Sequence, residues 1–349
     1  MAFATGVAKQ LRYKAESAWG TAPGASGAQL LRRVDSTLAL RKETYQSREL
    51  RSDYQLSDYR HGVRSVGGGI NGELSPGTFE DFFAAVLRRA FTAVSDITGL
   101  TLTIAASGSF FTITRSAGSW ITDGVKLGNV VRITAGAYNA ANLNKNLFVV
   151  ALTATVMTVA VLNGVAMVAE GPIASGTVNL PGKKTFVPTS GHTDVSFAIE
   201  HWHSDISQSE LFLGCKLNSL GVQLPPTGIA TVNMDFMGKD VTNAASAYYT
   251  SPTAETSTGV LAAVNGVLAV QGAALASITG LNYTVAGNMA AEPVVGSNTY
   301  PDIAEGRVIV TGQFTAMFEN AVLRDYFIDE TEVGLIVALA TGSSAAADF

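Results

Sequence analysis

The sequence predicts a mainly β protein: a β-sandwich or partial barrel with one flanking α-helix and a small β-domain inserted into it. Three observations carry this reading. Glu210–Val241 spells two long strands joined by a Pro-Pro-Thr-Gly turn. One stretch alone, Phe79–Phe91, repeats its apolar residues at helical spacing. Between Asp96 and Thr185, short Thr-, Ser-, Val- and Ile-rich runs alternate with Gly and Asn turns, the texture of a small barrel or sandwich.

In chain order, Gln10–Lys14 reads as the first strand and Leu30–Leu40 as the second, with a loop through Trp19-Gly20 between them. Arg41–Arg64 is dense in charge and tyrosine and reads as an extended arm. Val66–Gly72 is glycine-rich, but it lacks the Gly-Lys-Ser/Thr ending of a phosphate loop and the spaced glycines of a dinucleotide fold, so a flexible bend or bulge is expected. In the helix, Thr78 stands where an N-cap belongs, and Phe79, Phe82, Phe83, Val86 and Leu87 form one stripe suited to covering a sheet. The main domain resumes at Phe186. Asp194–His203 alternates, and in the first hairpin strand Leu211, Leu213, Cys215 and Leu217 share a face opposite Glu210, Lys216 and Asn218. Ala230, Val232, Met234 and Phe236 do the same opposite Thr231, Asn233 and Asp235. Arg307–Phe318 is a further strand, Asn320–Phe327 a short helix and Glu332–Ala340 a late strand. The division expected is thus 1–95 and 186–349 for the main domain, with 96–185 inserted.

The bulk properties narrow the class. Of 349 residues, 15% are charged, against about 25% in ordinary soluble domains. Mean hydropathy is +0.24. Long two-faced strands leave edges that need pairing, so a surface covered by further copies of the chain is the natural account. Residues 186–349 carry 4 Lys/Arg against 16 Asp/Glu, a balance that opposes phosphate binding by this half. The single cysteine, Cys215, forms no intramolecular disulfide. Met1–Lys14 has no apolar core of the secretory kind. Two uncharged runs, Leu147–Ala169 and Gly259–Ala291, exceed the ~20 residues of a membrane span. Asn163-Gly164 and Asn265-Gly266 break them, so hairpins are expected and no span.

Candidate chemistry is sparse. His201 and His203 lie two apart on a strand face, a spacing zinc uses, but they share that face with Val195, Phe197 and Ile199, and a structural role is expected. Glu200, Asp205, Glu210 and Asp235 would be the carboxylates of a glycosidase, yet no aromatic cleft sequence accompanies them. No nucleophile elbow, His-Glu-x-x-His or Cys-x-x-Cys occurs. Catalytic, metal-binding and cofactor-binding residues are therefore expected to be none.

The order of these pieces resembles the tail tube proteins of long-tailed bacteriophages. The resemblance rests on Arg12–Thr21, Glu73–Phe91, Leu213–Leu220, and Glu292–Asn298 leading into Thr311-Gly312. It spans most of the chain outside 96–185. One departure lies at the end: the chain stops at Ala347-Asp348-Phe349, where the family continues past the late strand. The resemblance implies a non-enzymatic virion protein, made and assembled in the bacterial host cytoplasm, whose copies close into rings of six. The rings would stack into a hollow tube that conducts DNA without binding it specifically. Tape measure and tail terminator proteins would be further partners. Competing readings are a receptor-binding or decoration protein of the virion and, more remotely, a polysaccharide-active enzyme.

Two surfaces follow from that picture. Tyr and Arg favour interfaces, so Tyr45, Arg48, Glu49, Arg51, Tyr54, Asp58, Tyr59 and Arg60 are expected to form an inter-subunit contact arm, between stacked rings. The polar strand faces, with Glu200, Glu210, Thr231, Asn233, Asp235, Thr311 and Gln313, are expected to line the lumen.

Overall fold

The computed structural model describes residues 3–162, 166–274 and 277–342. In chain order the main elements begin with β1 (Lys9–Ala15), β2 (Ala39–Gln46), β3 (Tyr59–Glu73) and α1 (Glu80–Val86). Six strands follow: β4 (Ile97–Ser107), β5 (Phe110–Arg115), β6 (Val130–Ala135), β7 (Leu147–Leu152), β8 (Val156–Val161) and β9 (Glu170–Asn179). Next come β10 (Phe197–His203), β11 (Gln208–Leu224), β12 (Thr231–Gly238), β13 (Asp240–Ala244), β14 (Gly266–Val270), β15 (Ile278–Ala286) and β16 (Ile309–Ala316). The chain closes with α2 (Val322–Ile328) and β17 (Leu335–Leu339). The protein is mainly β, as the sequence implies.

The 17-residue β11 organises the main sheet. Its first half pairs with β10 on one edge and β13 on the other; its second half pairs with β15 and β12. Outward from these, β1 adds to β10, β3 and then β2 add to β12, and β16 adds to β15. The two half-sheets enclose one core, to which Leu11, Phe197, Phe212, Leu220, Val232, Phe236 and Val285 contribute. α1 packs against β11 and joins the halves: the Phe82 ring lies 4.8 Å from Tyr13, 5.1 Å from Phe197 and 5.8 Å from Phe236.

Here β11 departs from strict alternation. Its core-facing residues are Phe212, then Cys215 and Leu217, then Leu220, Val222 and Leu224. Each change of parity falls at a bulge, one where the β10 register shifts and one between Leu217 and Ser219. At the first, Gly214 takes φ +68°, a conformation a side chain would strain. The expected single face is therefore split: Leu211 packs with Tyr249 on the opposite side, and Leu213 joins it there. Lys216, expected on a wet face, is buried and bonded to Asp194 (2.7 Å), Asp302 (3.2 Å) and the Ile303 carbonyl (3.0 Å). The Glu16 carboxylate clasps the bulge, accepting from the Gly214 amide (2.8 Å), the Gly20 amide (2.7 Å) and Ser196 (2.6 Å).

Other local expectations are corrected as well. The helix is shorter than 79–91 and has no side-chain cap, because Thr78 bonds Ser75 and Thr256 instead. Val66–Gly72 is no bend: it is a paired stretch of β3, and a Cβ on Gly68 would collide with the Thr37 carbonyl of the chain that runs antiparallel beside it. The expected Leu30–Leu40 strand is broken into Gln29–Leu30, which pairs with β1, and Asp35–Ser36, which pairs with β3. Within 147–169, β7 and β8 form the hairpin by turning at 153–155; Asn163-Gly164 lies outside the described residues. Asn265-Gly266 opens β14 after a 3-10 turn and joins no hairpin.

β4–β9 close into a six-stranded barrel in the order β7-β8-β5-β4-β9-β6. Its interior holds Leu102, Ile113, Trp120, Val131, Val149 and Val159, a core separate from that of the main sheet. Between the two bodies lies a small sheet of β14, Ala273–Ala274 and β17. Its alternation is apolar on both sides. Leu268, Leu335, Val337 and Leu339 pack on the main core, while Val267, Ala269, Ile336 and Ala338 pack on Val130, Phe148 and Val150 of the barrel wall. Among the described residues no helix is long and apolar enough to cross a membrane.

Candidate assembly surfaces and polar sheet face

The face of β3, β12, β11, β15 and β16 turned away from the core carries polar side chains in register. One rung runs Asp35–Asn71–Asn233–Gly221–Thr284–Thr311, and the next Glu73–Thr231–Gln223–Asn282–Gln313. A third runs Gly69–Asp235–Ser219–Ala286–Ile309. At about 4.8 Å per strand the face is about 24 Å wide. Its charges within these rungs are Asp35, Glu73 and Asp235, with no Lys or Arg; Arg41 lies one rung beyond, over Gly67. Thr231, Asn233, Asp235, Thr311 and Gln313 are thus brought together, although β12 and β16 are separated by some 70 residues of chain.

Glu200 is not with them. It has 0% exposure, and its carboxylate accepts from Ser209 Oγ (2.6 Å) and the backbone N–H groups of Tyr248 and Tyr249, with Arg12 Nη1 at 3.5 Å. A group so enclosed lines no channel, and its expected role is corrected to that of a buried anchor between β1, β10 and the 248–249 turn. The alternation that suggested a wet face fails here because β10 is covered on both sides. Glu210 also belongs to the other half-sheet, paired across the ladder with His201. Its Oε2 stands 3.7 Å from His201 Nδ1, and this contact lowers the carboxyl below its ordinary range. Burial lowers His201 in turn, and its Nε2 bonds Ser36 Oγ at 2.9 Å.

The arm is a β-hairpin. β2 pairs with β3 from Ala39↔Gly67 to Gln46↔Tyr59, whereas β12 accompanies β3 only as far as Val66. Beyond that point two strands project, held at the root by the Arg64–Asp240 ion pair (2.6 Å) and the Arg64 amide bonded to Asn298. Toward the tip, Arg51 pairs with Asp53 (2.7 Å) and Arg60 with Asp58 (2.8 Å), while Tyr45 donates to Glu43 (2.7 Å). Arg48 and Glu49 are exposed beside them. Tyr54, at φ +59°, is fully exposed, as is Leu50; Leu56 and Tyr59 are exposed too. A two-stranded ribbon bare on both faces is marginal in water by itself.

At the far edge of the sheet, β16 pairs with β15 and with no other strand among the described residues, and its Ile309 and Val310 are exposed. It leads into Met317, Phe318 and α2, which border a cleft of about 400 Å³ with Val270 and Ala273. Phe318 is 78% and Phe327 86% exposed. The sequence reading missed this cleft, as it missed Asp35, Asn71, Gln223, Asn282 and Thr284 of the polar face. The signal for the face was present in the alternation of Ile278–Ala286.

The four carboxylates weighed for glycoside cleavage are scattered in role: Glu200 is sealed, Asp205 holds the Thr5 amide (2.7 Å), Glu210 meets His201, and Asp235 sits on the polar face. Among the described residues no group of three or more His, Cys, Asp or Glu is placed to hold a metal ion. Residues 6–348 match the family model described as phage tail tube protein. No curated protein matches the chain.

Proposed function

The chain belongs to the phage tail tube protein family, and from that premise we propose that its copies join side by side into rings of six that stack into a hollow, DNA-conducting tube. It is a structural protein of the virion tail. The carrying observation is the set of three polar rungs, acidic and neutral, that cross five or six strands. A conduit for DNA must not hold it, and a wall of Lys and Arg would do so through many simultaneous phosphate contacts. Here the wall offers Asp35, Glu73 and Asp235 among amides and hydroxyls.

The edges support ring closure. β16 is an eight-residue edge strand whose outer side has no strand partner among the described residues, with its apolar Val310 uncovered, and the opposite side of the sheet ends in the β2–β3 hairpin. Edges of this length invite aggregation unless a neighbour covers them. Head-to-tail contacts that close give rings. The layer order supports an outward barrel: polar face, main sheet, core, small sheet and barrel follow in that order, so a channel on the polar face would leave the barrel on the outer wall. On this reading the protein is no enzyme, acts with tape measure and terminator proteins, and is assembled in the host cytoplasm before entering the virion. Electron microscopy of the purified assembled protein is the test. Hollow sixfold tubes with Asn233 and Thr311 toward the lumen are expected. Discrete monomers or trimers would favour a decoration protein instead.

A further inference from the structure

We infer that the Leu50–Leu56 tip of the hairpin on one copy seats in the α2 cleft of a copy in the adjacent ring. The inference rests on the tube reading and names the partner surface that builds it.

The ladder registers place the two surfaces at opposite ends of the sheet. β3, β11 and β16 run the same way, because each is separated from the next by two antiparallel pairings. The hairpin leaves from the start of β3, and α2 follows the end of β16. One surface therefore points out of one end of the strands, and the other lies at the opposite end. Tyr59–Ser65 alone carries the ribbon about 23 Å past Val66, at about 3.3 Å per residue. A head-to-tail contact of this kind does not close on itself; repeated along the strand direction, it makes a filament.

Chemistry matches tip to cleft. Leu50 and Tyr54 are fully exposed on the tip; Met317, Phe318 and Val322 line the cleft and are themselves exposed, and Phe327 and Ile328 are exposed further along α2. The segment that carries the cleft is acidic: Glu319 lines the cleft, and between Glu319 and Glu332 stand five carboxylates against Arg324, which is already paired with Asp325 at 2.7 Å. The arm between Arg41 and Arg64 carries six Lys/Arg against four Asp/Glu. Arg41, Lys42 and Arg48 have no ion pair among the described residues. A basic ribbon with an apolar tip thus meets an apolar cleft borne by an acidic segment.

The experiment is cross-linking of assembled tubes of the Leu50→Cys/Phe327→Cys variant with a short bis-maleimide, read on a denaturing gel. The native Cys215 is fully buried and does not interfere. A ladder extending well past the copy number of one ring is expected. A ladder that stops at that copy number would make the contact lateral and overturn the axial assignment. Absence of cross-links in tubes seen by microscopy would overturn the docking itself while leaving the tube intact. If wild-type protein forms no tubes, the underlying reading fails, and this inference falls with it. As an independent variant pair, Arg48→Glu and Asp329→Arg should each lose tubes but keep rings, and together regain them. Tubes of normal length from both single variants would refute the electrostatic match.

Discussion

Replacing Glu200 by Gln should destabilise the unassembled subunit strongly, whereas replacing Lys216 by Met should cost less, although both residues are buried ions. Glu200 receives Ser209 Oγ, two backbone N–H groups and the Arg12 guanidinium, all donors. The amide of Gln would point one NH₂ at donors and leave Arg12, itself buried, without its counter-charge. Breaking such a pair from one side costs about 3–5 kcal/mol. Lys216 differs because its partners sit at the surface: the Asp194 and Asp302 side chains are 52% and 62% exposed and rehydrate when the ammonium is removed. What remains is the orphaned Ile303 carbonyl, about 1–3 kcal/mol, offset in part by the apolar Met chain. The assay is urea unfolding at low protein concentration, followed by fluorescence of Trp19 and Trp202 with Trp120→Phe silencing the barrel. With a slope of about 3 kcal/mol/M, Glu200→Gln should lower the midpoint by about 1–1.7 M. A shift under about 0.3 M, or a larger loss from Lys216→Met, would refute the claim that Glu200 is a structural anchor.

Changing Glu73 and Asp235 together to Lys should leave tubes intact, since both are exposed on the polar face, but slow DNA ejection at low salt; unchanged ejection kinetics would remove these residues from the lumen. Replacing 96–185 with a Gly/Ser linker should still allow tubes, but it bares Val267, Ala269, Ile336 and Ala338. Adding Val267→Thr and Ile336→Thr should therefore reduce aggregation of the deletion, and loss of all assembly by a soluble, folded deletion would overturn the outward placement. Burial holds His201 below its ordinary 6.5 with Lys9, His203, Glu210 and Ser36 around it. Below about pH 6.5 the unfolded chain then binds a proton that the folded chain resists, so stability falls on acidification and gains nothing above that pH. His201→Gln should flatten the decline between pH 7 and 5, and an unaltered slope would disprove this assignment.

Periodicity made the fold class, the hairpin β11–β12 and the late elements legible, because each rests on side chains that alternate between water and core. β12 keeps strict alternation, and its reading holds at Val232, Met234 and Phe236 as at Thr231, Asn233 and Asp235. β10 and the first half of β11 defeat the same logic for a physical reason. They are covered on both sides, so Glu200 and Lys216 mimic exposed residues while being neutralised by distant partners such as Arg12 and Asp302. The glycines at 67–69 misled in another way: they signal the close approach of a neighbouring strand as readily as a turn. Neither Arg12–Glu200 nor Lys216–Asp302 leaves a trace in local sequence, since the partners lie 188 and 86 residues apart.

The two bulges of β11 explain how one strand serves both halves of the molecule. Each inserts one residue, so the core-facing parity changes from even to odd at Gly214 and back to even past Asn218. The apolar side thereby stays on the core while the strand leaves the β10 neighbourhood for that of β15. On the far side the consequence is unequal. Before Gly214 that side is closed by Tyr249, Leu211 and the Glu200 anchor; after Asn218 it is open and presents Ser219, Gly221 and Gln223 to the polar rungs. The open polar face thus begins where the second bulge ends. That is why Thr231, Asn233 and Asp235, paired with this second half, share a face with Thr311 and Gln313, while Glu210, ten residues or so earlier on the same strand, does not.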